Sequence, residues 1–199
     1  INDLSSINKL QQKKLNYSDF SNSVSKKFLD KNGYWLPITY RARLIVYHKD
    51  RVNKNELSTY SSLIEPKWKG KILVRSSKNA YNQALLSSMI ANLGEKKALN
   101  WSNKIVENFS REPKGNDRDQ VRAIAAGIGD IAIVNSYYIG LLKSSVDSND
   151  RVVGESVNVF FPNQSTSGTH INVSGIGLLK NSPNTKNAKS LMKFLVSDY

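Results

Sequence analysis

The sequence predicts an α/β fold, and three observations carry that prediction. Short apolar, β-branched runs bounded by turn residues alternate with segments whose apolar residues recur at helical spacing. The two kinds follow one another through most of the chain, the order expected of a sheet covered by helices with largely parallel pairing. A hydrophobic content of 39% and a charged content of 23% over 199 residues suffice for a core and a solvated surface, which excludes a disordered chain.

The elements read as follows. Residues 4–28 have apolar residues at helical spacing and predict short helices. The run Arg41-Ala42-Arg43-Leu44-Ile45-Val46-Tyr47 predicts a strand, ended by His48-Lys49-Asp50. A short helix is expected over 57–63. Trp68-Lys69-Gly70-Lys71 then turns the chain into a buried strand at 72–74. Residues 82–93 predict a helix closed by Gly94, with Ser77 or Asn79 as its N-cap, so Tyr81 belongs in or near the first helical turn. A second helix follows over 96–108, a loop over 113–117 and a third helix over 119–126. Gly127-Ile128-Gly129 turns that helix into the strand 130–134, and Asn135-Ser136-Tyr137-Tyr138 comes immediately after it. The remainder predicts a helix at 139–143, a polar loop, a strand at 157–161, a Gly- and Ser-rich loop over 163–169, an extended run at 173–179 and a helix at 188–196.

Composition narrows the chemistry. Cysteine is absent, which removes disulfides and thiolate sites, and histidine is limited to His48 and His170. Any metal must therefore be held mainly by oxygen, because the usual zinc ligands are missing. The net charge is +13, but the basic residues are spread along the chain without interleaved aromatics, so they predict a solvated surface and no nucleic-acid partner. No apolar stretch is long enough to span a bilayer, and no membrane insertion is expected. The text opens at Ile1 without an initiator Met and carries no export signal, so it reads as part of a longer chain.

Enzyme constellations are missing. The chain has no dinucleotide fingerprint, P-loop or nucleophile elbow. Gly127-Ile128-Gly129-Asp130 precedes a strand where a nucleotide loop should follow one. His48 belongs at a strand end among charges, and His170 reads as structural. The informative feature is Tyr137-Tyr138, placed at the C-terminal end of a strongly apolar strand, the end at which α/β sheets bind ligands. If the chain turns there, both phenol oxygens can converge on one point; otherwise the pair plugs the edge of the core.

At this point the chain resembles the cyanobacterial FutA-type iron-binding proteins. The resemblance runs through the 40–47 segment (Tyr40 through Tyr47), Pro66-Lys67-Trp68-Lys69-Gly70-Lys71 with the strand after it, Tyr81-Asn82-Gln83, and Asn135-Ser136-Tyr137-Tyr138. It continues in Phe160-Phe161-Pro162-Asn163-Gln164 and in Gly168-Thr169-His170-Ile171-Asn172. It implies a two-lobed periplasmic-binding-protein fold of type II, truncated at both ends, with an incomplete N-terminal lobe. Residues 1–42 and 164–199 would be partial lobe one, and 43–163 lobe two. It implies a protein that catalyses nothing, acts as a monomer in the periplasm, carries Fe3+ in the inter-lobe cleft and delivers it to the permease of an ABC importer.

By the same resemblance, Tyr81, Tyr137 and Tyr138 are the metal ligands and Arg41 is a cation beside them. Asn135 and Asn116 rank lower, as hydrogen-bonding residues in loops that hold a synergistic anion in related ferric-binding proteins. The chemistry agrees, because a small, hard ferric ion prefers anionic oxygen, and phenolate supplies it once the proton is expelled. Two alternatives stay open: a periplasmic binding protein for another ligand, such as an oxyanion or polyamine, and a basic nucleic-acid-binding module.

Overall fold

The computed structural model of the chain describes residues 11–20 and 24–197. Part of the predicted helical opening, residues 4–10 and 21–23, lies outside that range. The chain divides into two compact units, residues 1–40 with 173–199, and residues 41–172. Two strands carry residues of both units: β2 (Trp35–His48) and β6 (Ile171–Leu179).

In the first unit, β1 (Gln12–Lys13) pairs antiparallel with β6 through Gln12 opposite Leu179 and Lys13 opposite Leu178. Its core gathers Leu15, Phe20, Leu36, Leu178, Met192 and Val196. Met192 comes from the terminal helix, Thr185–Leu195, which Asn184 caps by accepting a hydrogen bond from the Asn187 N–H. Where short helices were predicted at the start, the described residues form single 3-10 turns at Tyr17–Asp19 and Lys26–Phe28.

The second unit is built on a sheet whose centre is β4 (Ile131–Asn135), all five residues of which are buried. β2 flanks it antiparallel, with Arg43 opposite Asn135 and Tyr47 opposite Ile131. β3 (Ile72–Leu73) flanks it parallel on the other side, and β5 (Val157–Phe160) pairs antiparallel with β2. The expectation of largely parallel pairing is therefore corrected: among these pairings only β3 with β4 is parallel. The reason is that β2 enters the unit against the direction of β4 and β5, without the helical crossover that would make it parallel.

Period-two alternation divides the sheet's apolar residues between two layers. Ile45, Tyr47, Ile131 and Ile133 face α1 (Ala80–Leu93) and α2 (Glu95–Ile105), where they pack with Leu85, Met89, Trp101 and Ile105. Leu44, Val46, Ala132 and Val134 face α3 (Asp117–Ala125) and α4 (Tyr137–Lys143), meeting Val121, Ile124, Ile139 and Leu142. α3 ends at Gly127, whose φ of +74° lets the Ile128 N–H reach back to the Ala123 carbonyl.

Two further differences are local. The helix expected over 57–63 is instead a series of 3-10 turns at Lys54–Glu56, Ser61–Ile64 and Pro66–Trp68. A helix α5 (Ser148–Glu155) occupies the predicted polar loop, capped by Asp147, whose carboxylate accepts from the Asn149 N–H. Its Gly154 permits close packing on α4, since a Cβ there would stand 2.9 Å from the Lys143 backbone nitrogen.

Candidate metal centre

Each candidate ligand stands in the first turn of a helix. β4 is apolar from Ile131 to Val134 and ends at Asn135, and there the chain is fastened to β2: the Ser136 N–H donates to the Ala42 carbonyl at 2.9 Å, and the Ala42 N–H donates to Ser136 Oγ at 3.2 Å. α4 begins at once, so Tyr137 and Tyr138 occupy its first two positions and their rings lie on one side, with centroids 4.1 Å apart. Tyr81 occupies the second position of α1, where Asn79 caps the helix by accepting the Tyr81 N–H at 3.0 Å.

The three phenols meet. Tyr138 and Tyr81 are the side chains that bear on the Tyr137 hydroxyl. Its pKa is pushed above the ordinary phenol value, first by burial and then by those two neighbouring phenols. The Tyr137 residue is 40% exposed overall. Among the described residues no group of three or more His, Cys, Asp or Glu is placed to hold a metal. The phenol oxygens are the concentration of hard donors here.

Positive charge collects around one of them. The guanidinium carbons of Arg75, Arg41 and Arg43 lie 5.4, 5.6 and 5.8 Å from the centroid of the Tyr81 ring. Arg43 is fully buried, and the structure surrounds it with acceptors. Its Nη1 donates to Asp117 Oδ2 at 2.5 Å and to Asn135 Oδ1 at 3.3 Å, and its Nη2 donates to Asn82 Oδ1 at 2.7 Å. Burial pulls the Arg43 pKa below the usual arginine value while the Asp117 carboxylate pulls it back; the group stays charged at any physiological pH.

Asp117 is the joint of this arrangement. It is fully buried, accepts from Arg43 through Oδ2 and from Arg75 through Oδ1 at 3.3 Å, and its Oδ2 also accepts the Asn135 N–H at 2.8 Å. One carboxylate thus ties the arginines behind Tyr81 to the end of β4, two residues before Tyr137. Asn82 makes the corresponding link from α1, its Nδ2 donating to the Arg75 carbonyl at 2.8 Å.

The predicted residues therefore separate by role. Tyr81, Tyr137 and Tyr138 come together, and Arg41 stands beside the Tyr81 ring. Asn135 is buried, its Oδ1 accepting from Arg43 and its backbone N–H donating to Asp117. Asn116 caps α3, accepting the N–H groups of Arg118 and Asp119, and reaches the cluster only by setting the helix start that presents Asp117.

Arg43, Asp117, Arg75 and Asn82 are additions that the sequence reading missed. The signal for Asp117 was an acidic residue directly after the Asn116 cap, which reads equally as ordinary first-turn charge. Tyr60 is a contrasting tyrosine. It is buried with its hydroxyl donating to the Arg43 carbonyl and accepting the His170 N–H, so its oxygen is already engaged.

Phenols gathered beyond the C-terminal end of a central strand suit a ligand-binding crevice, and the family comparison fits that reading. The chain belongs to the bacterial extracellular solute-binding protein family, which matches residues 3–199. Among its relatives, it is 52% identical to iron uptake protein A2 and 47% identical to iron uptake protein A1 of Synechocystis. These matches span 84% of this chain in each case, with 49% and 46% of the respective relatives. It therefore spans about half the length of these relatives. Of solved structures, it superposes on the Trichodesmium FutA protein in complex with iron and citrate with a TM-score of 0.90 at 44% identity, over 94% of this chain and 59% of the other. Apo FutA2 of Synechocystis superposes with a TM-score of 0.87 at 45% identity, over 94% and 60%. The type II α/β fold is thereby shown, as is the resemblance to FutA-type proteins.

Proposed function

We propose that this chain binds ferric iron on the phenolate oxygens of Tyr81, Tyr137 and Tyr138, and that it serves as the solute-binding component of an iron importer. The observation that carries the reading is the gathering of three tyrosine side chains at the starts of α1 and α4, with three guanidinium groups around one of the rings. Relatives named for iron uptake and a similar structure solved with iron and citrate support it.

The chemistry follows from the residues. In the empty protein the Tyr137 proton is held by burial and by its two phenol neighbours. A ferric ion bound here would form metal–oxygen bonds to the three phenols, and the protons leave. Ligation makes each phenol an anion, and the negative charge at Tyr81 then faces Arg41, Arg43 and Arg75. Helix starts at both ligand segments add a smaller favourable field, about 0.3–1 kcal/mol each. Nothing in the cluster is arranged to make or break a covalent bond of a substrate, consistent with a carrier.

On this reading the two compact units are the lobes of a binding protein, residues 41–172 form the iron-bearing one, and the protein works as a monomer in the periplasm. It hands its cargo to a membrane permease driven by a separate ATPase. The arginines suggest an oxyanion as the rival cargo, but those of Arg43 and Arg75 are held by Asp117, Asn82 and Asn135. Titration separates the two. Chelated ferric iron should produce a visible phenolate-to-iron absorption band and outcompete zinc, whereas phosphate or sulfate alone should leave the protein unchanged. Tight oxyanion binding in the absence of iron, with no coloured species, would overturn the proposal.

A further inference from the structure

The chain passes from β4 into α4 through a single residue, Ser136. The β2–β4 ladder shows what that passage demands. Its register runs from Tyr47 opposite Ile131 to Arg43 opposite Asn135, and beyond Tyr47 the His48 N–H donates to the Asp130 carbonyl at 3.0 Å. Opposed residues in an antiparallel ladder alternate between pairs that exchange both N–H···O bonds and pairs that exchange none. His48 with Asp130 sets the phase, so Ala42 with Ser136 falls on a hydrogen-bonded pair, where each N–H should donate to the other carbonyl.

Half of that rung is regular and half is replaced. The Ser136 N–H donates to the Ala42 carbonyl at 2.9 Å, as the ladder requires. Ser136 already has helical backbone angles, φ −53° and ψ −43°, and its carbonyl accepts the Ile139 N–H at 3.2 Å. The Ala42 N–H donates to Ser136 Oγ instead, at 3.2 Å. Serine at a helix start ordinarily caps it, the hydroxyl accepting an N–H of the first turn, but this hydroxyl makes no such bond. It stands in for the carbonyl of its own residue, which lets α4 begin at Tyr137 with the strand pairing still closed behind it.

We propose that Ser136 is a positioning residue of the metal centre, its hydroxyl fixing Tyr137 and Tyr138 against the stretch of β2 that carries Arg41 and Arg43. This role rests on the reading of the two tyrosines as iron ligands. Ala42 lies between the two arginines and Ser136 directly precedes the tyrosines, so one hydroxyl joins both sides of the centre. Loss of a group that orients metal ligands typically lowers metal affinity by about 10–100-fold.

The test compares Ser136→Ala and Ser136→Thr with Ser144→Ala in the whole 199-residue chain. Ser144 Oγ donates to the Gly140 carbonyl at 2.8 Å near the far end of α4, so its removal loosens the same helix without touching the turn. The readouts are titration with ferric citrate, followed by the iron-phenolate band, and a crystal structure of metal-free Ser136→Ala. Ser136→Ala should fold, bind iron about tenfold more weakly or worse, and shift the band maximum. Ser136→Thr, which keeps the hydroxyl, should restore both, and Ser144→Ala should change neither. In metal-free Ser136→Ala the Tyr137 and Tyr138 rings should be displaced relative to β2. Parent-like affinity and band in Ser136→Ala, equal losses in Ser136→Ala and Ser144→Ala, or unmoved rings would overturn the proposal. A parent chain that gives no band overturns the iron reading and this role with it, whereas a coloured parent matched by Ser136→Ala overturns this role alone.

Discussion

Removing the Asp117 carboxylate should destabilise the second unit more than any other single change at the cluster. Asp117 and Arg43 are both fully buried and bond at 2.5 Å, and Asp117 also holds Arg75 and the Asn135 N–H. Asp117→Ala leaves the Arg43 charge in the interior with only the neutral acceptors Asn82 and Asn135. Breaking a buried pair from one side costs about 3–5 kcal/mol, because the remaining charge is uncompensated. For a domain of this size that corresponds to a fall in melting temperature of roughly 6–20 °C, at about 2–4 °C per kcal/mol. Circular-dichroism melts and urea titrations of the metal-free chain would measure it.

The pair can be separated from simple loss of packing by a second variant. Arg43→Met with Asp117→Leu removes both charges and keeps the apolar volume, and should be more stable than Asp117→Ala alone. Both variants should bind iron poorly, since the Asn135 N–H no longer anchors the turn into Tyr137. A loss below about 1 kcal/mol in Asp117→Ala, the size of an ordinary neutral hydrogen bond, would refute the claim that this carboxylate organises the cluster.

Three further outcomes follow from the same geometry. Iron affinity should fall as pH falls, because each ligating phenol must release its proton; after correction for the chelator, the limit is roughly tenfold per proton per pH unit, and a pH-independent affinity would count against phenolate ligation. Tyr60→Phe should cost about 1–3 kcal/mol, since it leaves the buried Arg43 carbonyl and His170 N–H without their partner, yet leave the iron band intact; loss of the band would make Tyr60 part of the metal site. The His170 pKa is lowered by burial and by Arg43 and Arg41, so the unfolded chain takes up a proton that the folded one refuses as pH drops below about 6.5. Stability should therefore be full above that pH and decline toward pH 5, and denaturation midpoints of His170→Gln should show a shallower decline than those of the parent chain.

What was legible in the sequence divides along a physical line. The end of β4 was readable because Ile131 through Val134 is apolar without interruption and Tyr137 follows within three residues. The first turn of α1 was readable because Asn79 is a strong capping residue two positions before Tyr81. Arg43 was not, because a cation at the start of an otherwise apolar strand reads as a solvent-facing end. Its burial is made possible by Asp117, 74 residues further on, through a pairing that no local pattern encodes. α5 was missed for a different reason: Val152 and Val153 are too few to mark an amphipathic period, and its packing depends on the space left at Gly154. The direction of β2 was misjudged because alternation of strands and helices says nothing about which way a strand that joins two units must run.

The central claim is that Tyr137 and Tyr138 ligate the ion and do not merely fill the edge of the core. Their simultaneous replacement by Phe tests it most directly, because the rings and their packing stay while both oxygens go. The measurement is the visible spectrum of the chain titrated with ferric citrate, alongside a melt of the same variant. The account predicts a folded protein within a few degrees of the parent, with the iron-phenolate band lost and iron passing through on desalting. A variant that keeps the band and retains iron would contradict it, and would assign these two tyrosines to the core alone.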